Sequence, residues 1–536
     1  VTDRRLKHWG WGFEDQQPTP AALRAAAAGL AQHLGLEGDV HIEDPLPLSE
    51  VRLAPVRVAV PSALAPFCTD SLYARAAHAL GKSYCDVLAG FRGDFHHPPD
   101  FVAHPHDERE LERVLEWCSS EHVAVIPFGG GTSVVGGVRP QVPAACNGVI
   151  SLDMAAFDRV LEVDPISRSA RIQAGARGPA LESQLAEHGF TLRHYPQSFE
   201  YSTLGGWLAT RAGGHFATLF THIDDFLQSI RAITPSSGVW QSRRLPASGA
   251  GPSPDRLLLG SEGVLGVITE AWLRVLPKPL HRRSAAVGFA CFSDGVECAR
   301  ALAQSGLHPA NCRLIDPAEA RLTLAGDGSL ALLLVAFESA QHPVDFPMTC
   351  ALDICREHGG EISERSAGGG GGAVGGGGGA VGSWRQAFLG APYMRDVFVA
   401  MGLLTETFET AITWERFPAF HERVVNAAHQ AIAEGGHVSC RFTHVYPDGP
   451  APYDTVLAPA RRGEEIEQWQ AIKRAVSDVI IAEGATITHH HAVGRDHRPW
   501  YDQQRPEPFA VALSAAKAAL DPAGIMNPGV LVGPLS

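Results

Sequence analysis

An α+β protein of several domains is what this sequence predicts, and three observations carry that reading. The chain has 536 residues, which at roughly 100–200 residues per domain amounts to about two to four domains. Its residues are 45% hydrophobic and 19% charged, an ordinary balance for a globular protein with ample material for a core. From residue 98 the texture reads strand, helix, strand and glycine loop. Between 280 and 475, two apolar strands flank a helix, the mark of an α+β module.

Taken in order, residues 1–97 form an Ala-rich helical region. "TPAALRAAAAGLAQHLGL" reads as a helix with Thr19 as N-cap and Pro20 in the first turn, and "RAAHALGKSYCDVLAGFRG" as another. Residues 98–279 carry a helix with Leu111, Val114, Leu115 and Cys118 at helical spacing. "HVAVIPF" follows as an apolar strand, then the short β-rich runs "GVISLDM", "RVLEVDP" and "SARIQAGA". In 280–475, "SAAVGFACF" and "LALLLVAFES" are strands around the helix "GVECARALAQSGL". A twice-repeated GGGGGAV (368–381) reads as a surface loop, because glycine repeats bury too little to offset their ordering entropy. Residues 476–536 hold a helix at "SDVIIAEG", the histidine triplet, a helix at "EPFAVALSAAKAAL" and the stretch "DPAGIMNPGVLV".

Composition excludes several classes of partner. A formal net charge of −14 repels phosphate backbones, so nucleic acid is not expected. No apolar run reaches about 18 residues, so no membrane span is expected. Ten cysteines without a CxxC pair suit free thiols in a reducing cytoplasm. The opening residues carry no charged n-region followed by an apolar h-region, so no secretory leader is expected from them.

Gly129, Gly130 and Gly131 follow a strand and precede Thr132, Ser133 and Val134. Glycine permits positive φ, so successive N–H groups can face one concavity suited to a pyrophosphate; a plain glycine turn is the alternative. The spacing is neither Walker A nor G-x-G-x-x-G. Two more glycine-bearing stretches follow, "PQSFEYSTLGGWLATRAGG" (196–214) and "GSEGVLGVITEA" (260–271). Together the three resemble the PCMH-type FAD-binding domain of the vanillyl-alcohol-oxidase superfamily. The resemblance implies a two-subdomain FAD-binding domain over about 98–279, an α/β cap domain with an antiparallel sheet over 280–475, and a tail that returns to the flavin. It assigns FAD contacts to Gly129–Val134, to Gln197, Ser198, Tyr201, Ser202 and Thr203, and to Thr210, Arg211, Ala212 and Gly213. It adds Glu262, Gly263, Val264, Leu265, Gly266, Val267 and Ile268. Where some subfamilies carry a flavin-linking histidine stands Phe128, which implies noncovalent FAD.

"HWGWGFED" (8–15), "APYMRD" (391–396), "ETFETAITWERF" (406–417), "FTHVYPDG" (442–449) and "THHHAVG" (488–494) narrow the resemblance to the alkyldihydroxyacetonephosphate synthase family. That family exchanges the acyl group of acyl-dihydroxyacetone phosphate for a fatty alcohol, a step of ether lipid synthesis, through a flavin N5 adduct. The resemblance implies Arg395 as the phosphate-binding cation, and a guanidinium suits phosphate because it donates paired, charge-assisted bonds. An ion pair with Asp396 or Asp316 is its alternative. Arg313 matches a second arginine motif, or makes a plain ion pair. Tyr453 stands where the family has its catalytic tyrosine, with Tyr446 the competing phenol. A phenol titrates near pH 10, so acid–base work at neutral pH needs nearby positive charge or donors.

His489, His490 and His491 are read as donors and proton carriers in the pocket, with satisfied core histidines as the alternative. If 487–493 is extended, His489 and His491 share a face and His490 does not, so the three do not ligate one metal, and no metal is expected. The rival function is an FAD-linked oxidase or dehydrogenase of a D-2-hydroxy acid or alcohol. In that rival the equivalents of "THVYPDG" and "HHHAVG" carry an Asn and a Glu that this sequence lacks there. A fatty substrate implies peripheral membrane contact, and the resemblance implies a homodimer.

Overall fold

The structure is a computed structural model. It describes residues 5–16, 19, 21, 24–25, 27, 42–236, 238–362, 390, 393–432 and 435–533. The GGGGGAV repeat and most of the helix expected after Thr19 lie outside the described residues.

The first sheet holds β1 (Cys68–Thr69), β2 (Phe101–Ala103), β3 (Val123–Phe128) and β4 (Gly148–Asp153), in the order β1-β2-β4-β3. β2 and β3 both run parallel to β4. The helix Glu108–Glu121 carries the chain from β2 to β3, which run the same way on either side of β4. Asp107 caps that helix through the Glu110 N–H. It buries Leu111, Val114, Leu115 and Cys118, the four residues its periodicity singled out, against Val123, Val125 and Ile150.

The second sheet is antiparallel. It contains β5 (Val160–Asp164), β6 (Ser169–Gln173), β8 (Leu227–Thr234), β9 (Gly238–Gln241) and β10 (Val267–Arg274), ordered β5-β6-β10-β8-β9, while β7 (Phe190–Thr191) pairs with β11 (Leu276–Pro277). A separate core fills it around Ile172, Leu204, Trp207, Ile230 and Leu273.

The third sheet has seven strands: β12 (His281–Phe289), β13 (Asn311–Ile315), β14 (Ala331–Ser339), β15 (Glu361–Ile362), β16 (Leu403–Glu409), β17 (His437–Val445) and β18 (Pro450–Pro459). Their order is β15-β12-β14-β13-β17-β18-β16, antiparallel throughout. The helices Phe292–Gln304, Asp345–Glu357, Phe417–Ile432 and Glu465–Ala482 cover it. The fold is therefore α+β, with a helix-covered antiparallel sheet beside two smaller ones.

Two local expectations are corrected. Residues 75–93 do not form one helix: Leu72–Ala77 ends and Tyr84–Arg92 begins afresh. Ser83 caps the second through a capping box with Asp86, which satisfies orphan N–H groups that a continuous helix would not expose. The helix expected at 477–484 is the end of a longer one, Glu465–Ala482.

Candidate functional site

A cavity of about 900 Å³ lies where the three sheets meet. Its floor is backbone. The loop after β3 brings Gly129, Gly130 and Gly131 to it, followed by Thr132, Ser133 and Val134. A Cβ on Gly129 would stand 2.2 Å from Thr203 Oγ1, and one on Gly130 would stand 2.0 Å from the Tyr201 carbonyl oxygen. Gly131 has φ +64°, a left-handed value that glycine adopts without strain. The glycines thus let the loop press against residues 201–203 while its other face lines the cavity. Thr203 caps the helix Leu204–Thr210. Ser133 Oγ accepts the Gly137 N–H at 2.9 Å and fixes the far end of the loop.

Most residues assigned to FAD contact line this cavity: Gln197, Ser198, Ser202, Thr203, Thr210, Ala212, Gly213, Glu262, Gly263, Gly266, Val267 and Ile268. Four do not. Tyr201 is buried beneath the loop, its hydroxyl paired with that of Tyr393. Arg211 turns to the surface, where its Nε donates to Asp224 at 2.8 Å. Val264 and Leu265 belong to the core of the second sheet. The motif "SEGVLG" alternates between cavity and core, which a contiguous assignment could not resolve. The tail does return here: Asn527 lines the cavity, and its side-chain amide donates to the carbonyls of Gly137 (3.1 Å) and Glu262 (2.8 Å).

The roof is made of side chains. Arg441 on β17, Tyr453 on β18 and Glu409 at the end of β16 are register partners, so they form one row across the sheet. Arg441 and Tyr453 line the cavity. The guanidinium carbon of Arg441 lies 3.8 Å from the centre of the Tyr453 ring, and Arg441 also pairs with Glu319 at 2.5 Å. This arginine was not singled out by sequence; its signal is a buried cation within the strand "HVSCRFTHV", beside Thr443 and His444, which also line the cavity.

The histidine triplet is not an extended strand, which corrects the alternation argument. Residues 489–491 form a bend wrapped around the Glu409 carboxylate. That carboxylate accepts the backbone N–H groups of His489, His490 (2.9 Å) and His491 (2.8 Å), and the Thr488 hydroxyl. Glu262, on the cavity floor, accepts the next N–H groups, those of Val493 (2.9 Å) and Gly494 (2.8 Å). Burial pushes both carboxyls up to about 7 against these donors. His490 and His491 line the cavity, with ring centres 6.1 and 5.6 Å from that of Tyr453. His489 stands behind them. Its Nε2 meets the Tyr446 hydroxyl at 2.8 Å and its Nδ1 meets His490 Nδ1 at 3.0 Å. Tyr446 is thus a partner of His489 rather than a cavity residue. Burial holds all three imidazoles below the usual histidine range, His490 at about 3, so they are neutral at pH 7.

His444 joins His489 and His490 in a cluster whose donor atoms lie within 4.8 Å of one another. Its ring nitrogens already have partners, Thr443 Oγ1 at 3.1 Å and the Gly214 carbonyl at 3.2 Å. Both nitrogens of His489 are engaged as well.

Two further arginines face the cavity. Arg395 lies in the helical stretch 393–400. It makes neither ion pair considered for it: Asp396 binds Lys7 at 2.7 Å, and Asp316 accepts the N–H groups of Glu319 and Cys440. Arg395 instead donates to the Lys82 carbonyl. Arg313 on β13 is fully buried, donates to the His215 carbonyl at 3.2 Å, and is held down to about 9 by burial and by Arg441.

The floor fits a flavin dinucleotide: a glycine loop with no room for side chains, beside a helix N-terminus capped by Thr203, opens on a cavity of suitable size. Residues 99–242 match the family described as "FAD binding domain", and residues 278–531 match "FAD linked oxidases, C-terminal domain". The chain is thus a flavoprotein, with FAD as its cofactor. An alkyldihydroxyacetonephosphate synthase of Caenorhabditis elegans is 31% identical over 478 residues, covering 84% of this chain and 79% of the relative. That of Dictyostelium discoideum is 29% identical over 492 residues, covering 86% and 78%. A solved alkyldihydroxyacetonephosphate synthase superposes with a TM-score of 0.80 at 25% identity, covering 98% of each chain. The chain belongs to the alkyldihydroxyacetonephosphate synthase family.

Proposed function

We propose that this protein exchanges the acyl group of acyl-dihydroxyacetone phosphate for a fatty alcohol, with Tyr453 as the acid–base residue. The observation that carries this reading is the Tyr453 ring between the Arg441 guanidinium and the imidazoles of His490 and His491, facing the glycine floor. The glycine loop, Thr203, Glu262, Gly263 and residues 266–268 would hold FAD without a covalent link, and FAD when bound would supply an electron sink and source, so the exchange needs no net redox.

The protein's own groups do the rest. Arg395 and Arg313 offer cations to the substrate phosphate, and Arg395 has a fork not engaged by any carboxylate pair among the described residues. Tyr453 takes the proton from the reacting carbon and returns it. The Arg441 guanidinium, 3.8 Å from the centre of the ring, is the cation beside that phenol. Neutral His490 and His491 accept or donate hydrogen bonds at the departing and arriving oxygens. His489 and Tyr446 continue the chain of polar groups away from the cavity to Thr221. Glu409 is a positioning residue, because it fixes the backbone of all three histidines. The apolar chains of the substrates call for delivery from a bilayer. Among the described residues no helix is long and apolar enough to cross a membrane, so the reading includes peripheral contact, in a cytoplasmic homodimer.

The test is anaerobic mixing of the yellow protein with palmitoyl-dihydroxyacetone phosphate and hexadecanol. The expected result is a substrate-dependent change in the flavin spectrum, release of palmitate and formation of the ether product. The match of residues 278–531 to FAD linked oxidases favours a second reading, oxidation of a D-2-hydroxy acid or alcohol. Lasting flavin reduction by D-lactate, with no ether product, would establish that reading instead.

A further inference from the structure

The sheet that carries Tyr453 has a second row of polar groups on its opposite face. Strand residues alternate between faces. Cys440 and Asp454, each next to a cavity residue, therefore point away from the cavity and are direct cross-strand partners. The helix Phe417–Ile432 packs there and brings in His421. One donor atom from each of His421, Cys440 and Asp454 lies within 4.8 Å of the others.

This cluster differs from the histidine cluster in the cavity. There, each imidazole has hydrogen-bond partners. Here, His421 Nδ1 and Asp454 Oδ1 are buried with no hydrogen-bond partner, although they lie 3.9 Å apart. Asp454 is 2% exposed and Cys440 is fully buried. The surroundings are aromatic: Phe417 stacks on His421 with centres 5.4 Å apart, and Phe292 approaches it equally closely. A carboxyl oxygen and an imidazole nitrogen left unmatched in such a place are costly to desolvate, and the side-chain bond that Asp454 does make is with the Cys440 thiol, inside the same cluster. No lysine or arginine forms an ion pair with Asp454 among the described residues.

We propose that His421, Cys440 and Asp454 form a binding site for one zinc-class divalent cation, a structural fastening behind the strand that bears Tyr453. The donor set is one thiolate, one imidazole and one carboxylate, the mixture that zinc accepts. Zinc–ligand bonds of about 2.0–2.3 Å place tetrahedral donors about 3.3–3.8 Å apart, so the three side chains need close only slightly. The His421 side chain is 23% exposed, which gives the ion a path in and leaves the fourth position to water. Binding releases the thiol proton and satisfies both unmatched atoms. The ion would tie the helix to β17 and β18, whose other face presents Arg441 and Tyr453.

The test uses tag-free, FAD-loaded, full-length protein incubated with zinc and passed through a desalting column. One equivalent of zinc should remain, and it should be lost in Cys440→Ser and in Asp454→Asn. Affinity should fall more than about 100-fold in each, since even outer-shell changes typically cost about 10–100-fold. His490→Ala, in the cavity cluster, should retain the equivalent. Cobalt(II) is the second probe, in case the variants fold poorly. Bound in the wild type, it should show thiolate charge transfer and tetrahedral ligand-field bands to the red of the flavin absorption. Failure of the wild type to retain zinc, retention by both variants, or a cobalt spectrum without thiolate character would each overturn the proposal. The outcome is independent of the substrate, so it stands or falls separately from the acyl-exchange reading.

Discussion

The floor and the roof of the cavity are built by different means. The floor is main chain: Gly129, Gly130 and Gly131 pressed against Tyr201 and Thr203, with hardly a side chain among them. The roof is a set of ionisable side chains, a row across one sheet face with a histidine bend beside it, and the bend is held by a carboxylate that never reaches the cavity. The difference teaches how each tolerates change. A main-chain wall is intolerant of added atoms, whereas a side-chain wall is intolerant of lost supports.

That contrast can be broken or sharpened by experiment. The largest effect is expected from Gly130→Ala. Its methyl would meet the Tyr201 carbonyl at 2.0 Å, so the loop must shift. We predict a colourless or weakly yellow protein with near-zero activity, destabilised by about 1–3 kcal/mol. A normal flavin-to-protein ratio would show that the floor is not as rigid as described. Next is Tyr453→Phe, which should lower turnover by about 10²–10⁴-fold, the range of a lost acid–base group, with flavin content unchanged. Full activity would remove Tyr453 from the chemistry.

Glu409→Gln should follow. Its amide nitrogen would face backbone N–H groups that now find an acceptor, so the histidine bend loosens. Misplacement by about 1 Å costs on the order of 100-fold in kcat. Flavin binding should persist, and an Asp at this position should not restore the rate. Arg395→Met should raise KM for the phosphate substrate about tenfold or more while kcat changes little, because the cation binds ground and transition states alike. A drop confined to kcat would assign Arg395 to the chemical step.

The smallest effect is on pH dependence. His490 is held at about 3, below its unfolded value, so its contribution to stability is complete above about 6.5 and is lost as pH falls toward 3. Glu409 is raised to about 7, so its contribution is present below about 4.5 and is lost as pH rises through 7. The two oppose each other between about 4.5 and 6.5. Melting temperatures of His490→Asn should therefore fall more steeply with rising pH than those of the wild type, and those of Glu409→Gln should rise.

The floor was the more legible wall in the sequence. Three glycines after an apolar strand announce a close backbone approach, and the capping Thr203 and the crossover helix follow from local rules. What local reading missed was alternation within "SEGVLG", where Val264 and Leu265 turn to the core. The roof was legible only through resemblance, which pointed to Tyr453, Arg395 and the histidines. It left out Arg441 and Glu409, because nothing local says that positions 409, 441 and 453 meet as one row. The histidine bend was misread for the same reason. Its shape is set by acceptors 80 and more residues away, Glu409 and Glu262, and not by its own residues.

The Asn527 clasp has a consequence for biogenesis. Its amide joins the carbonyls of Gly137 and Glu262, a link that spans 390 residues to the first of them. A ribosome therefore completes the glycine loop long before it makes the residue that locks the loop in place. Capture of the dinucleotide should come late, after translation has passed Asn527, and a message cut short before that codon should yield a protein that never turns yellow.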